Sequence, residues 1–109
     1  MKRGEVWTVA GAGDYGGKPR PVVIVQDDRF DATASATVCA FTSDPTNAPL
    51  IRLLVEPDAQ NGLNVISWLM VDKITTVPKS KLGARIGRLA DQDMMRLNRA
   101  MLIFLGLAG

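Results

Sequence analysis

The chain has 109 residues, 47% of them hydrophobic, and a net charge of +2, which is the size of one domain with enough apolar side chains to fill one core. So small a charge does not identify a nucleic-acid binder, and the cluster of Lys73, Lys79, Lys81, Arg85, Arg88, Arg96 and Arg99 fits a solvated surface equally well. Histidine is absent, which removes the usual general base, the usual proton shuttle and the commonest metal ligand together.

In chain order, Glu5-Val6-Trp7-Thr8-Val9 alternates polar and apolar as a strand packed on one face does, and the alternation puts Trp7 in the core. The glycine-rich stretch Gly11 to Gly17, with Asp14 and Tyr15 inside it, reads as a loop. Arg20-Pro21-Val22-Val23-Ile24-Val25-Gln26 is a β-branched run suited to a buried strand, with Pro21 tolerated at its first position and a break expected at Asp27-Asp28. Further strands are predicted over Thr37 to Thr42, Leu50 to Val55, Val65 to Val71 and Ile74 to Val77, separated by turn residues at Asp44-Pro45-Thr46-Asn47 and from Pro57 to Gly62. A lone Cys39 in the run Val38-Cys39-Ala40-Phe41 reads as a small core residue.

Beyond the strands, a short helical turn is expected around Lys79 to Leu82 and a brief extended piece at Arg85-Ile86-Gly87. Met94, Leu97, Met101 and Phe104 then recur at helical spacing, with Asp91 as the expected N-cap and Gly106 as the stop. The fold class that follows is α+β: a small twisted antiparallel barrel with one C-terminal helix, in one domain over 1–109. Met101 to Leu107 falls far short of the roughly 20 apolar residues that cross a bilayer. The first residues show no signal-peptide core, so the expectation is a cytoplasmic protein without membrane contact.

Three stretches carry a family resemblance: Arg3-Gly4-Glu5-Val6-Trp7, then Lys18-Pro19-Arg20-Pro21 with the β-branched run after it, then the tail from Asp72 through Leu82-Gly83 and Ile86-Gly87-Arg88-Leu89 to Phe104-Leu105-Gly106-Leu107. In this order the chain resembles the MazF/PemK (Kid) family of toxin endoribonucleases from bacterial type II toxin–antitoxin systems. The resemblance implies an SH3-like barrel of the kind shared with the gyrase-poison toxins, a homodimer, and sequence-specific cleavage of single-stranded RNA that inhibits translation and growth. It further implies a cognate MazE-like antitoxin bound along the same surface. Attack by the RNA's own 2′-hydroxyl would leave a 2′,3′-cyclic phosphate and a 5′-hydroxyl.

That reaction needs a proton acceptor, a proton donor for the leaving 5′-oxygen, and donors for the charge on the phosphoryl oxygens. Arg20 is the catalytic candidate for the third role, because a guanidinium offers planar paired donors to phosphate and keeps its charge; the family's motif arginine maps onto it. Thr42 is the second catalytic candidate, a hydroxyl at a strand end that in the family lies opposite the motif arginine. It suits positioning and transition-state hydrogen bonding, since an alcohol is a poor base unaided. Ser43 shares that place. Asp72 stands where one branch of the family has an acid, but the arginine those relatives carry two residues earlier is Met70 here, so Asp72 is open as a base or as a structural acceptor. Lys18, Tyr15, Ser67 and Lys73 are the RNA-binding candidates. With no histidine and no clustered carboxylates near the motifs, no metal or other cofactor is expected. The rival reading is a toxin-fold module that binds without cutting, either a gyrase poison or a degenerate antitoxin-binding protein. Gyrase poisons need a tryptophan close to the end, and this chain finishes Phe104 to Gly109.

Overall fold

The β-branched stretches form strands where alternation or continuous burial predicts them, and the boundaries shift by a few residues. The computed structural model describes residues 1–10 and 18–108; the expected glycine loop with Asp14 and Tyr15 lies outside the described residues. The strands are β1 (Glu5–Val9), β2 (Arg20–Ile24), β3 (Ser35–Thr42), β4 (Arg52–Val55), β5 (Ser67–Met70), β6 (Thr75–Pro78) and β7 (Leu82–Arg88), followed by helix α1 (Asp91–Phe104). All pairings are antiparallel, in the order β4-β5-β3-β2-β1-β7, with β6 paired to the outer half of β3. Strand β3 is therefore shared: Ser35 to Val38 face β6, Val38 to Ala40 face β2, and Phe41 and Thr42 face β5.

The sheet curls like a barrel without closing through strand ladders. The gap between β4 and β7 is bridged instead by the segment 56–66, whose Gln60 carbonyl accepts a 2.9 Å hydrogen bond from the Arg88 amide. Alternation along the strands divides the interior. Val6, Val23, Cys39, Phe41 and Leu69 point to a main core completed by Leu89, Met94, Leu97 and Ala100. Val22, Ile24, Ala36 and Val38 point to the opposite face and form a smaller cluster, covered by Trp7. Trp7 thus caps a cluster at half burial rather than sitting in the main core. Its indole donates to Glu5 Oε1 at 3.0 Å, which satisfies the one polar atom of the ring.

Strand β7 is longer than the short extended piece expected. Its exposed residues and two glycines hide the alternation, but pairing with β1 from Glu5↔Arg88 to Val9↔Leu82 holds it. The helix buries Met94, Leu97 and Ala100, whereas Met101 is half-buried and Phe104 exposed. Ala100, three residues after Leu97 and so its neighbour on the helix surface, is the third buried contact. The N-cap is Ala90, without a side-chain cap. Asp91 and Asp93 lie in the first turn instead, where their charge favours the positive end of the helix dipole. Gly106 does end the helix at φ 74°, with the Leu107 amide reaching back to the Leu102 carbonyl at 2.8 Å and the Gly106 amide to Ile103 at 3.1 Å, a Schellman closure.

Candidate active site

The site begins with a register. In β1 and β2, Val9 pairs with Arg20, and in β2 and β3 the pairs run from Ile24↔Val38 to Val22↔Ala40. Carrying that antiparallel register two residues further sets Arg20 across from Thr42, on the same face. Pro21 sits between, and Pro19 precedes Arg20, so the arginine stands on backbone whose φ angles and preceding conformations are restricted. The expected first strand residue was Pro21; Arg20 itself opens the strand.

Around these two side chains lies a groove of about 480 Å³. It gathers Lys18, Arg20, Thr42, Ser43 and Ser67, five of the residues singled out from the sequence. Lys18 and Arg20 bring two cations, and no carboxylate is among the described lining residues, so the groove favours an anion. Each hydroxyl has a defined state. The Asp44 amide donates to Thr42 Oγ1 at 3.1 Å, so Thr42 accepts from its own turn and retains its proton for donation outward. Ser67 is buried and its Oγ donates to the Val65 carbonyl at 3.0 Å, which leaves it only lone pairs to offer. Trp68, in β5, is the register partner of Thr42 and is half-buried beside it.

Asp72 and Lys73 lie elsewhere, on the 3₁₀ turn Val71–Lys73, and neither lines this groove. Asp72 takes a forked pair of hydrogen bonds from Arg52, Nε to Oδ1 at 3.0 Å and Nη2 to Oδ2 at 3.2 Å. Arg52 is the cross-strand partner of Met70, so the guanidinium arrives from the neighbouring strand. Those hydrogen bonds hold the Asp72 carboxyl below its ordinary range. Behind the pair, Cys39 is fully buried and its Sγ approaches the Met70 carbonyl at 3.5 Å. Burial, with Asp72 adding to it, pushes the thiol up to about 12. A thiol so raised is a core side chain and not a nucleophile.

Near the first strand, Glu5 is also largely buried. Burial raises its carboxyl, but the Lys2 amide, the Trp7 indole and Arg85 together outweigh that and leave it below its usual value. The carboxylate ties the start of β1 to β7 and orients Trp7, a structural role.

Asn64 also lines the groove, and the sequence held no signal for it, since an isolated asparagine after a turn looks like any loop residue. Among the described residues, no group of three or more Asp, Glu, Cys or His side chains could hold a metal ion.

The family model for PemK-like, MazF-like toxins of type II toxin–antitoxin systems matches residues 2–105. A probable endoribonuclease MazF from Mycolicibacterium smegmatis is 59% identical to the chain over the whole of both sequences. An endoribonuclease MazF from Staphylococcus saprophyticus is 30% identical, covering 98% of this chain and 92% of that protein. Among solved structures, an endoribonuclease in complex with its cognate antitoxin from a mycobacterial species superposes with a TM-score of 0.80 at 26% identity, over 98% of this chain and 96% of that one. With a matching family model across almost its entire length, the chain belongs to the PemK-like, MazF-like toxins of type II toxin–antitoxin systems.

Proposed function

We propose that this chain is a sequence-specific endoribonuclease that cuts single-stranded RNA in the Arg20 groove, thereby blocking translation and growth. The observation that carries the reading is Arg20 facing Thr42 in a cationic groove, in a chain 59% identical to a probable endoribonuclease MazF. In the reaction, the O2′ of one nucleotide attacks the adjacent phosphorus while the bond from phosphorus to O5′ breaks. The O2′ proton leaves, a proton is delivered to O5′, and the products are a 2′,3′-cyclic phosphate and a 5′-hydroxyl.

Arg20 binds two phosphoryl oxygens as charge builds on them, and Thr42 donates a third hydrogen bond from the opposite strand. Lys18 holds the neighbouring phosphate as a point charge, and Ser43 and Ser67 position the strand. Asp72, already engaged by Arg52, serves as a structural acceptor, and Lys73 beside it supplies charge outside the groove. The route is metal-independent in this reading, with Arg20 and Lys18 meeting the charge on the phosphate. A cognate antitoxin of the MazE type would occupy the same groove and compete with RNA; the mycobacterial endoribonuclease bound to its cognate antitoxin supports this partner. No helix among the described residues is long and apolar enough to cross a membrane, and the cytoplasm, where mRNA is translated, is the proposed place of action.

The exposed apolar residues of α1 and β4, among them Leu54, Met95, Ile103 and Phe104, support a homodimer, because so small a domain leaves more apolar surface than one sheet covers. The decisive experiment is to incubate the purified protein with long single-stranded RNA and map the new 5′ ends. Cuts at one recurring short motif are expected; RNA left intact at stoichiometric protein overturns the proposal.

A further inference from the structure

A second hollow of about 380 Å³ adjoins the Arg20 groove and shares Pro19, Pro21, Asn64, Val65 and Ser67 with it. Thr8 and Ile86 complete its far wall. Proline rings and the exposed aliphatic groups of Val65 and Ile86 give it flat apolar sides, the surfaces on which an unstacked base settles. Asn64 stands where the two hollows join. Its side chain is exposed and makes no hydrogen bond among the described residues.

The segment that presents Asn64 is anchored well beyond what a solvated loop requires. Asp58 Oδ1 accepts from the Gln60 and Asn61 amides at 2.8 and 2.7 Å. Asn61, fully buried, accepts from the Leu63 amide at 3.0 Å and donates to the Glu56 carbonyl at 2.9 Å. Gly62, at φ +72°, lies so close to the Ile86 carbonyl that a Cβ would collide with it, and Gln60 is bonded to Arg88 of β7. An exposed polar side chain on backbone this firmly held is preorganised for a ligand.

We propose that Asn64 is a specificity-determining residue that reads the edge of the base next to the cleaved phosphate. This inference rests on the proposed RNA cleavage in the Arg20 groove. A carboxamide sets one donor beside one acceptor, which matches a base edge that does the same, as adenine does with its amino group and ring nitrogen. Replacing the amide by a carboxylate leaves two acceptors, which match the two donors on the Watson–Crick edge of guanine.

The test is deep mapping of cut sites in a random-sequence RNA pool by the wild-type chain, Asn64→Ala and Asn64→Asp, each shown to unfold at the wild-type temperature. Asn64→Ala should lose discrimination at a single motif position, on the order of tenfold or more, with the other positions retained. Asn64→Asp should shift that one position toward guanine. A motif unchanged in both variants, or relaxed equally at every position, overturns the role of Asn64 while leaving RNA cleavage standing. A wild-type chain that cuts nothing in the pool overturns the proposed function and this inference together.

Discussion

Arg20 and Thr42 face one another at the open end of the β2–β3 ladder, two residues past the last register pair, Val22 and Ala40. Pro21 has no amide hydrogen to give to that ladder, so the strands carry side chains forward at a point where their backbones no longer need to bond. An arginine and a hydroxyl on adjacent strands, on the same face, can grip one phosphate from two sides.

Arg20→Ala should lower single-turnover cleavage of a mapped substrate more than any other side-chain change, by a few hundredfold or more, since one preorganised donor is typically worth about 3–4 kcal/mol. Arg20→Lys should restore little, because an ammonium keeps the charge without the fork. Thr42→Val should cost about 1–2 kcal/mol, as befits a neutral hydrogen bond. All of this should hold in EDTA; loss of activity on chelation with recovery on adding magnesium, or full activity in Arg20→Ala, contradicts the mechanism.

Asp72→Asn should lower stability by about 1–3 kcal/mol at neutral pH, because Arg52, with only 13% of its side chain exposed, would lose its counter-charge. The sign of the pH dependence follows from the lowered carboxyl. Its contribution is complete above the ordinary value of 3.8 and disappears as pH falls through the still lower folded value. Thermal unfolding of both proteins from pH 7 down to pH 2 should therefore show a wide gap at neutral pH that narrows below pH 3.8. Cleavage by Asp72→Asn should stay near wild type at temperatures where both are folded; a loss as deep as that of Arg20→Ala would make Asp72 catalytic after all.

Cys39 should resist modification in the folded chain. With the thiol pushed to about 12 and no exposed surface, thiol reagents at pH 8 should label it only as fast as the protein opens, and denaturant should accelerate the labelling to that of a free thiol. Rapid stoichiometric labelling under native conditions would show that the main core is not packed as described.

Exposed apolar side chains of β4 and α1, Leu54 and Ile103 among them, should be covered in solution by a second copy. Sedimentation at micromolar concentration should give a dimer, and Ile103→Glu should shift it toward monomer without unfolding it, since Ile103 is 49% exposed. A wild-type monomer at that concentration removes the homodimer.

Much of the scaffold was legible because its signals are local. The β-branched run after Pro21, the turn residues around Asp44 and Pro57, and the spacing of Met94 and Leu97 each report their own element. The Arg20–Thr42 pairing was visible only through the family motif. The partner of Asp72 was not visible at all: Met70, two residues before it, offers no charge, whereas Arg52 reaches the carboxylate across a ladder. Asn64 stayed hidden for a similar reason, since what distinguishes it is the anchoring of its neighbours Asp58, Asn61 and Gly62 against β7. Strand β7 was underestimated because its own side chains are mostly exposed, so that its place depends on β1 and not on its hydrophobic pattern.

The pairing of β1 with β7 also sets a schedule. A nascent chain still waiting for residues 82–88 can pair β1 with β2 but leaves the other edge of β1 open, and the segment 56–66 lacks its hydrogen bond from Arg88 to Gln60 and its packing against Ile86. Contacts this distant in sequence assemble late. Until they do, the hollow beside the Arg20 groove lacks the Ile86 side of its wall, so the surface next to Asn64 is among the last parts of the molecule to take shape.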